Sequence, residues 1–109
     1  MDTINAYVAG LFDGEGCISS QCMWVVGKYI KHPRINLQLT ITNQDRNCLD
    51  FVCEEFGGRV DFKDKNRNRC YSWRLIGKRP MKAFIKAIYP YLIVKKEQAK
   101  LALEFIDTI

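Results

Sequence analysis

The order of apolar and polar residues predicts a strand followed by a helix in the middle of the chain. Residues 34–42, with the sequence RINLQLTIT, alternate without interruption, which is typical of a strand with one buried face. Beyond Asp45, a residue suited to cap a helix, apolar side chains recur at helical spacing. The buried face of this helix is expected to carry Leu49, Val52, Cys53 and Phe56, before Gly57-Gly58 ends it.

The same patterns assign the rest of the chain. We expect a helix at about 4–14 that ends at glycines, a strand at 17–26, a basic turn at 27–33, strands at 59–63 and 70–76 around the polar tip KDKNRNR, a helix from Pro80 to Pro90, and a last helix at 95–109. The order α-β-β-α-β-β-α-α predicts one α+β domain covering residues 1–109. Its core would be a four-stranded antiparallel sheet with helices packed on one face.

One segment carries the whole excess of positive charge. The 109 residues have a net charge of +5, and the segment 59–79 holds the acids Asp61 and Asp64 beside eight basic residues, which are Arg59, Lys63, Lys65, Arg67, Arg69, Arg74, Lys78 and Arg79. This concentration suggests a surface for a polyanion such as DNA or RNA. On charge alone, a solvated basic loop is an equal alternative.

Composition excludes several other classes of protein. The longest apolar stretch, residues 6–12, is far too short for a bilayer, and the start of the chain lacks the basic region of a secretory signal, so no membrane association is expected. Five cysteines and a single histidine, His32, without CxxC spacing argue against disulfides and a structural zinc site. We therefore expect an intracellular, reducing compartment.

The predicted sheet has an unusually polar second face. Its members carry hydrogen-bonding groups that suit base edges in the major groove: Arg34, Asn36, Gln38, Thr40, Asp61, Lys63, Ser72 and Arg74. An ordinary solvated face is the alternative. The low β-propensity of Asn36 and Gln38 in mid-strand favours a reading surface.

The first helix contains two features that lower its own stability. Ala6, Gly10 and Gly14 form a flat stripe, although an interior glycine costs about 1 kcal/mol relative to alanine. Asp13 and Glu15 lie at the carboxyl end of the helix, where the helix dipole disfavours negative charge. Together they indicate a functional site, with a polar turn at the end of the helix as the alternative.

Residues Val8 to Gly16, VAGLFDGEG, resemble the defining motif of the LAGLIDADG homing endonucleases. The predicted order of elements is similar to the α-β-β-α-β-β-α unit of that family. A single copy of the motif resembles the homodimeric class. The resemblance implies that Ala6, Gly10, Asp13 and Gly14 lie at the dimer interface, with Asp13 capping the partner helix.

The resemblance also implies a catalytic site. Glu15 and the carbonyl of Gly14 would bind Mg²⁺, with Mn²⁺ as a substitute, and the two copies of Glu15 would lie close together beneath the DNA. Lys95, or else Lys96, would neutralise charge on the phosphate. Asn43, with Gln44 adjacent, falls where the family places a residue that positions water.

Two groups of residues would then contact double-stranded DNA. Base edges would be contacted by Ser19, Gln21, Met23, Arg34, Asn36, Gln38, Thr40, Asp61, Lys63, Ser72 and Arg74. Phosphates would be held by Lys28, Lys31, Lys65, Arg67 and Arg69. Because Met23 is apolar, it would contact a thymine methyl group, or the register of the first strand is shifted by one residue.

These expectations describe a homodimeric, Mg²⁺-dependent endonuclease that cuts double-stranded DNA at a long pseudo-palindromic site, as in intron homing. One alternative is a cleavage-inactive member of the same fold, acting as a DNA-binding regulator or as a maturase on intron RNA. A second alternative is a small dimeric interaction domain with a solvated basic face.

Overall fold

The computed structural model describes residues 2–26, 31–65 and 68–108, and within these ranges the side chains of 21–35 and 64–68 are outside the description. The elements are α1 (Thr3–Glu15), β1 (Gly16–Val26), β2 (Lys31–Asn43), α2 (Arg46–Phe56), β3 (Arg59–Lys65), β4 (Asn68–Leu75), α3 (Lys78–Ile88), a 3₁₀ turn (Tyr89–Tyr91) and α4 (Lys96–Thr108). No helix in the described ranges is long and apolar enough to cross a membrane.

The four strands form one antiparallel sheet in the order β1-β2-β4-β3. This confirms the predicted α+β fold. The predicted turn at 27–33 was wrong for its last three residues, because β2 begins at Lys31 and Pro33 pairs with Trp24; residues 27–30 lie outside the described chain. Pro33 is tolerated in the strand because, among the described residues, β4 pairs with residues 39–43 of β2 and leaves this part of β2 with a neighbour on one side only.

The helices cover one face of the sheet, and an aromatic side chain joins the two layers. Leu39, Ile41, Trp73 and Leu75 project from β2 and β4 into the core. The ring of Phe84 in α3 lies 5.0 Å from the ring of Trp73 and 5.5 Å from that of Phe12 in α1. The predicted buried face of α3, which comprises Met81, Phe84, Ile85 and Ile88, is confirmed.

Two glycines between α2 and β3 bring the chain against the buried tryptophan. Gly57 and Gly58 have φ of +82° and +97°, values that residues other than glycine rarely adopt. The indole N–H of Trp73 donates to the carbonyl of Gly57 at 2.8 Å. A Cβ on Gly58 would lie 2.7 Å from both the carbonyl oxygen of Arg74 and Nε1 of Trp73, whereas a Cβ on Gly57 would have no atom within 4 Å.

The end of α1 is tied to the turn that leads into α4. The carboxylate of Asp13 accepts the backbone N–H groups of Ile93 at 2.7 Å and Lys95 at 2.9 Å. Lys95 Nζ in turn donates to the carbonyl of Asp13 at 2.7 Å. Burial acts to raise the pKa of Asp13, but the N–H groups of Ile93, Lys95 and Val94 and the Lys95 ammonium outweigh it and lower the pKa below 3.8.

Asp13 thus has donors within its own chain. Both oxygens of its carboxylate accept N–H groups of the turn at 93–95, which lies at the carboxyl end of α1. That turn offsets the negative charge placed there, and the capping of a partner helix by Asp13 stays a prediction.

Substitution of Gly58 by alanine should destabilise the fold more than the same change at Gly57. Both residues would bear the cost of a positive φ, but only Gly58→Ala adds a clash with Trp73 and the backbone of Arg74. We expect Gly58→Ala to lower the free energy of unfolding by about 2–3 kcal/mol and Gly57→Ala by about 1 kcal/mol. Urea unfolding of both variants measures the difference, and equal losses would contradict the clash.

Asp13→Ala should lower the free energy of unfolding near neutral pH by roughly 1–2 kcal/mol, because two N–H groups lose a charged acceptor. Since the pKa of Asp13 is lowered by folding, its contribution is complete above its ordinary pKa and is lost as the pH falls through the lowered value. The difference between wild type and variant should therefore shrink between about pH 5 and pH 2.

Urea unfolding over this pH range checks the sign. Asp61 and Asp107 also have lowered pKa values, through hydrogen bonds from Arg59 and Lys82 respectively, but they are present in both proteins and cancel in the comparison. A difference that stays constant down to the acid limit would show that the charge of Asp13 does not contribute.

Candidate active site and nucleic-acid interface

Glu15 lies where α1 passes directly into β1. It is the last residue of the helix, and Gly16 follows as the first residue of the strand without an intervening loop. A Cβ on Gly16 would lie 2.6 Å from both Cγ and the carbonyl oxygen of Phe12, so only glycine fits at this junction. The packing of Phe12 in the core thus fixes the backbone that presents Glu15 at the surface.

Asn43, the last residue of β2, contacts Glu15 directly. Its Oδ1 accepts the backbone N–H of Asp45 at 2.8 Å, and its Nδ2 donates to Oε2 of Glu15. The first bond determines which end of the amide faces the carboxylate. Gly16 pairs with Ile41, so the start of β1 and the end of β2 lie at the same end of the sheet, and two residues far apart in sequence meet there.

Lys95, in the turn before α4, also lies at the carboxyl end of α1. Its side chain is half-buried, and its ammonium sits on the carbonyl of Asp13, where a cation is favoured by the helix dipole. Lys96, the alternative, lies over the ring of Tyr89 at 5.2 Å. The structure therefore brings the predicted residues Glu15, Asn43 and Lys95 to the last turn of α1, with their catalytic roles remaining predictions.

The donor set at this end of the helix consists of oxygens. Glu15 and Gly14 are exposed, and the Gly14 carbonyl lies in the last turn of α1, beyond the Phe12 carbonyl that accepts the N–H of Gly16. Such a set fits Mg²⁺, which keeps several waters and takes one or two carboxylates with substrate phosphate. Within the described ranges, no three His, Cys, Asp or Glu side chains converge.

The register of the sheet supports the predicted polar face. Ser19 pairs with Gln38, and Thr40 pairs with Arg74, while Asp61 pairs with Ser72, so these positions share the face opposite the helices. Gln21 and Met23 occupy positions opposite Asn36 and Arg34, which is the predicted register of the first strand. Lys63 and Arg69 are exposed near the outer end of the sheet.

Several of the predicted DNA contacts fall where the structure gives no side-chain description. These are Gln21, Met23, Lys31, Arg34 and Lys65, of which only the backbone is described, and Lys28 and Arg67, which lie outside the described residues.

The sequence reasoning missed one member of the polar face. Arg59 pairs with Arg74 across β3 and β4, so both positions face away from the helices. Its Nε donates to Oδ1 of Asp61 at 2.8 Å. The alternation of Arg59, Asp61 and Lys63 in β3 was the available signal, since period-two spacing puts all three on one face.

The exposed face of α1 is not covered by its own chain. A Cβ on Gly10 or Gly14 would have no atom within 4 Å, so internal packing does not require glycine at either position. Tyr7, at helical spacing from both, is 52% exposed. Ile93 and Val94, in the turn bound by Asp13, are 85% and 74% exposed and add apolar surface that the sequence reasoning did not identify.

Comparison with known proteins agrees with this geometry. The family model described as LAGLIDADG endonuclease matches residues 8–106. The DNA endonuclease I-CreI of Chlamydomonas reinhardtii is 30% identical over 105 residues, which cover 94% of this chain and 62% of the relative. The chain thus spans less than two thirds of that protein.

Solved structures show the same fold. The homing endonuclease I-CvuI, in complex with the I-CreI target in the presence of Mg, superposes with a TM-score of 0.80 at 25% identity, over 94% of this chain and 65% of the other. The archaeal intron-encoded homing endonuclease I-Vdi141I, complexed with DNA, gives a TM-score of 0.76 at 22% identity over 94% and 66%. With the motif, the sheet and the family match in agreement, this chain belongs to the LAGLIDADG endonuclease family.

Proposed function

We propose that two copies of this chain form a dimer that cuts double-stranded DNA at a long pseudo-palindromic site, using a divalent metal ion. The observation that carries the proposal is the position of Glu15. Asn43 holds this residue at the end of α1, and the exposed face of the same helix carries Gly10 and Gly14, where a Cβ would have no atom within 4 Å. The residues after Glu15 enter the strand that begins the polar face of the sheet.

The glycine face supports dimerisation through α1. Each exposed helical glycine costs about 1 kcal/mol relative to alanine, and no atom of the described residues lies within 4 Å of a Cβ on Gly10 or Gly14. Close approach of a second backbone would explain both. In a two-fold dimer the same face contacts itself, so the two copies of Glu15, each adjacent to a Gly14, would come close together.

Two adjacent carboxylates repel each other unless cations lie between them, which supports a metal site shared by the dimer. Glu15 and the Gly14 carbonyl would hold the ion, and Asn43 would keep the carboxylate oriented. A bound Mg²⁺ or Mn²⁺ would supply polarisation of the scissile phosphate and activation of a water molecule. The relative I-CvuI was crystallised with its DNA target in the presence of Ca and with the I-CreI target in the presence of Mg.

Lys95 would contribute positive charge on the other side of the helix end. Its ammonium already lies against the carbonyl of Asp13, so a phosphate brought to Glu15 would have a cation nearby. Its backbone N–H is held by Asp13, which fixes where the side chain starts. This placement supports a role for Lys95 in stabilising charge on the phosphate during hydrolysis.

The polar sheet face would bind the duplex. Its arginine, asparagine and glutamine positions can donate to base edges in the major groove, and the basic residues at the strand ends would contact phosphates. A dimer would present two such faces related by a two-fold axis, so each half-site would be read by one protomer. Because the substrate would be genomic DNA, we place the protein in a reducing intracellular compartment.

Glu15→Gln should abolish cutting while leaving DNA binding intact, because it removes the charge that holds the metal ion and keeps the side-chain shape. We expect a loss of at least about a hundredfold in cleavage of a plasmid carrying the uninterrupted host locus in Mg²⁺. Glu55→Gln, at an exposed position of α2, is the matched control and should cut normally. Unchanged cleavage by Glu15→Gln would remove Glu15 from the site.

The wild-type protein in the same assay separates the alternatives. A linear product in Mg²⁺ and none in EDTA supports the nuclease. Specific binding without nicking would instead indicate a DNA-binding regulator or a maturase. Negligible affinity for any duplex at low salt would leave only the interaction domain.

Gly10→Leu should convert the dimer to a monomer, since a leucine side chain would separate two backbones packed across the glycine face. Sedimentation velocity measures the change, and the monomer should remain folded because a Cβ at position 10 has no atom of the described residues within 4 Å. Lys100→Leu, an exposed position of α4, is the control and should sediment as wild type. A dimer retained by Gly10→Leu would contradict this interface.

A further inference from the structure

Two arginines face each other across the outer strands of the sheet. Arg59 in β3 and Arg74 in β4 are directly paired in the antiparallel register. Like charges at directly opposed positions destabilise strand pairing. The arginine pair by itself therefore does not stabilise the fold. Both side chains are substantially exposed to solvent, 72% for Arg59 and 42% for Arg74.

Asp61 lies between the two guanidinium groups. Its Oδ1 accepts a hydrogen bond from Nε of Arg59 at 2.8 Å, and its Oδ2 lies 3.9 Å from Nη2 of Arg74. The hydrogen bond from Arg59, with the charges of Arg59, Arg74 and Lys63, lowers the pKa of the Asp61 carboxyl below its ordinary 3.8, so the group stays ionised at neutral pH. One carboxylate thus offsets the repulsion between the two arginines and orients Arg59 through a hydrogen bond.

The atoms used in this contact leave the recognition groups of Arg59 available. Asp61 binds Arg59 through Nε, and the two terminal nitrogens make no other hydrogen bond to the described residues. Those two nitrogens form the planar fork that donates simultaneously to O6 and N7 of guanine. A lysine at this position would lack the fork.

Resting on the proposed function, we propose that Arg59, held in place by Asp61 beside Arg74, reads a guanine in each half-site of the DNA target. Arg59 is the base-contacting residue, and Asp61 is a positioning residue that acts through Arg59. Both oxygens of Asp61, which was predicted to contact base edges, face arginine nitrogens.

The negative charge of Asp61 also explains how Arg59 would read bases rather than only attract phosphates. An arginine pair without a counter-charge would bind any DNA backbone, since phosphate contacts are independent of sequence. A carboxylate between the arginines weakens that attraction and repels phosphate. Specificity then increases at the expense of general affinity.

Selection from a randomised DNA duplex library, followed by binding measurements on the selected duplex and on single-base variants of it, tests the proposal. The wild-type protein should enrich guanine at one or more positions of each half-site. Asp61→Asn should reduce the preference for guanine at one of these positions by roughly tenfold or more. Its affinity for unselected duplex should stay the same or rise, because the variant is more positive.

Two further variants show whether the change in guanine preference is specific to Arg59 and Asp61. Arg59→Lys keeps the charge, so it should keep the affinity for unselected duplex and lose the same guanine preference. Glu54→Gln, at an exposed position of α2, changes the net charge as Asp61→Asn does and should retain the wild-type preference. Circular dichroism and urea unfolding verify that each variant is folded.

The outcomes separate this inference from the proposed function. One outcome is that the wild type binds DNA selectively while Asp61→Asn and Arg59→Lys keep every base preference. That result would leave the nuclease proposal standing but overturn the proposal that Arg59 reads guanine. A uniform loss of affinity without a change in base preference would assign Arg59 to phosphate and also overturn it. If the wild type binds no duplex at low salt, the proposed function fails and the inference fails with it.

Discussion

The whole site depends on how the carboxyl end of α1 accommodates two acidic residues. The helix dipole disfavours both charges there, so each needs donors close by. Asp13 obtains them from the turn before α4, and Glu15 obtains one from Asn43 at the end of β2. Because these donors come from distant parts of the chain, satisfying the charges also draws β2, α4 and Lys95 together around one helical turn.

Two surfaces of different chemical character meet at this turn. The outer face of α1 is small and apolar, with glycines that the chain's own packing does not need. The sheet face opposite the helices is polar and basic, with its charges arranged around Asp61. Glu15 lies at the end of the first surface and at the start of the second, which is where a dimer bound to DNA would bring two carboxylates and a phosphate together.

The structure also shows how Glu15, in place of the aspartate of the namesake motif, is accommodated. Asn43 has a short amide side chain, and its oxygen is already used by the N–H of Asp45. Its nitrogen is therefore directed to Glu15, which has a longer side chain than the aspartate of the namesake motif. The short amide and the longer carboxylate complement each other across the end of the sheet.

The sequence by itself determined the elements and their buried faces, because period-two and helical spacings are local properties that follow from side-chain polarity. It also identified Gly10, Gly14, Asp13 and Glu15 as anomalous, since each opposes local helix stability. Those signals needed no knowledge of neighbours in space.

Only the tertiary structure decided what these residues contact. The extension of β2 through Pro33 depended on which strand lay beside it, and the partners of Asp13 depended on where the turn before α4 returned. The ion pair of Asp61 with Arg74 depended likewise on the pairing of β3 with β4. Such contacts join different elements of the chain, and their energies depend on distances that no local pattern encodes.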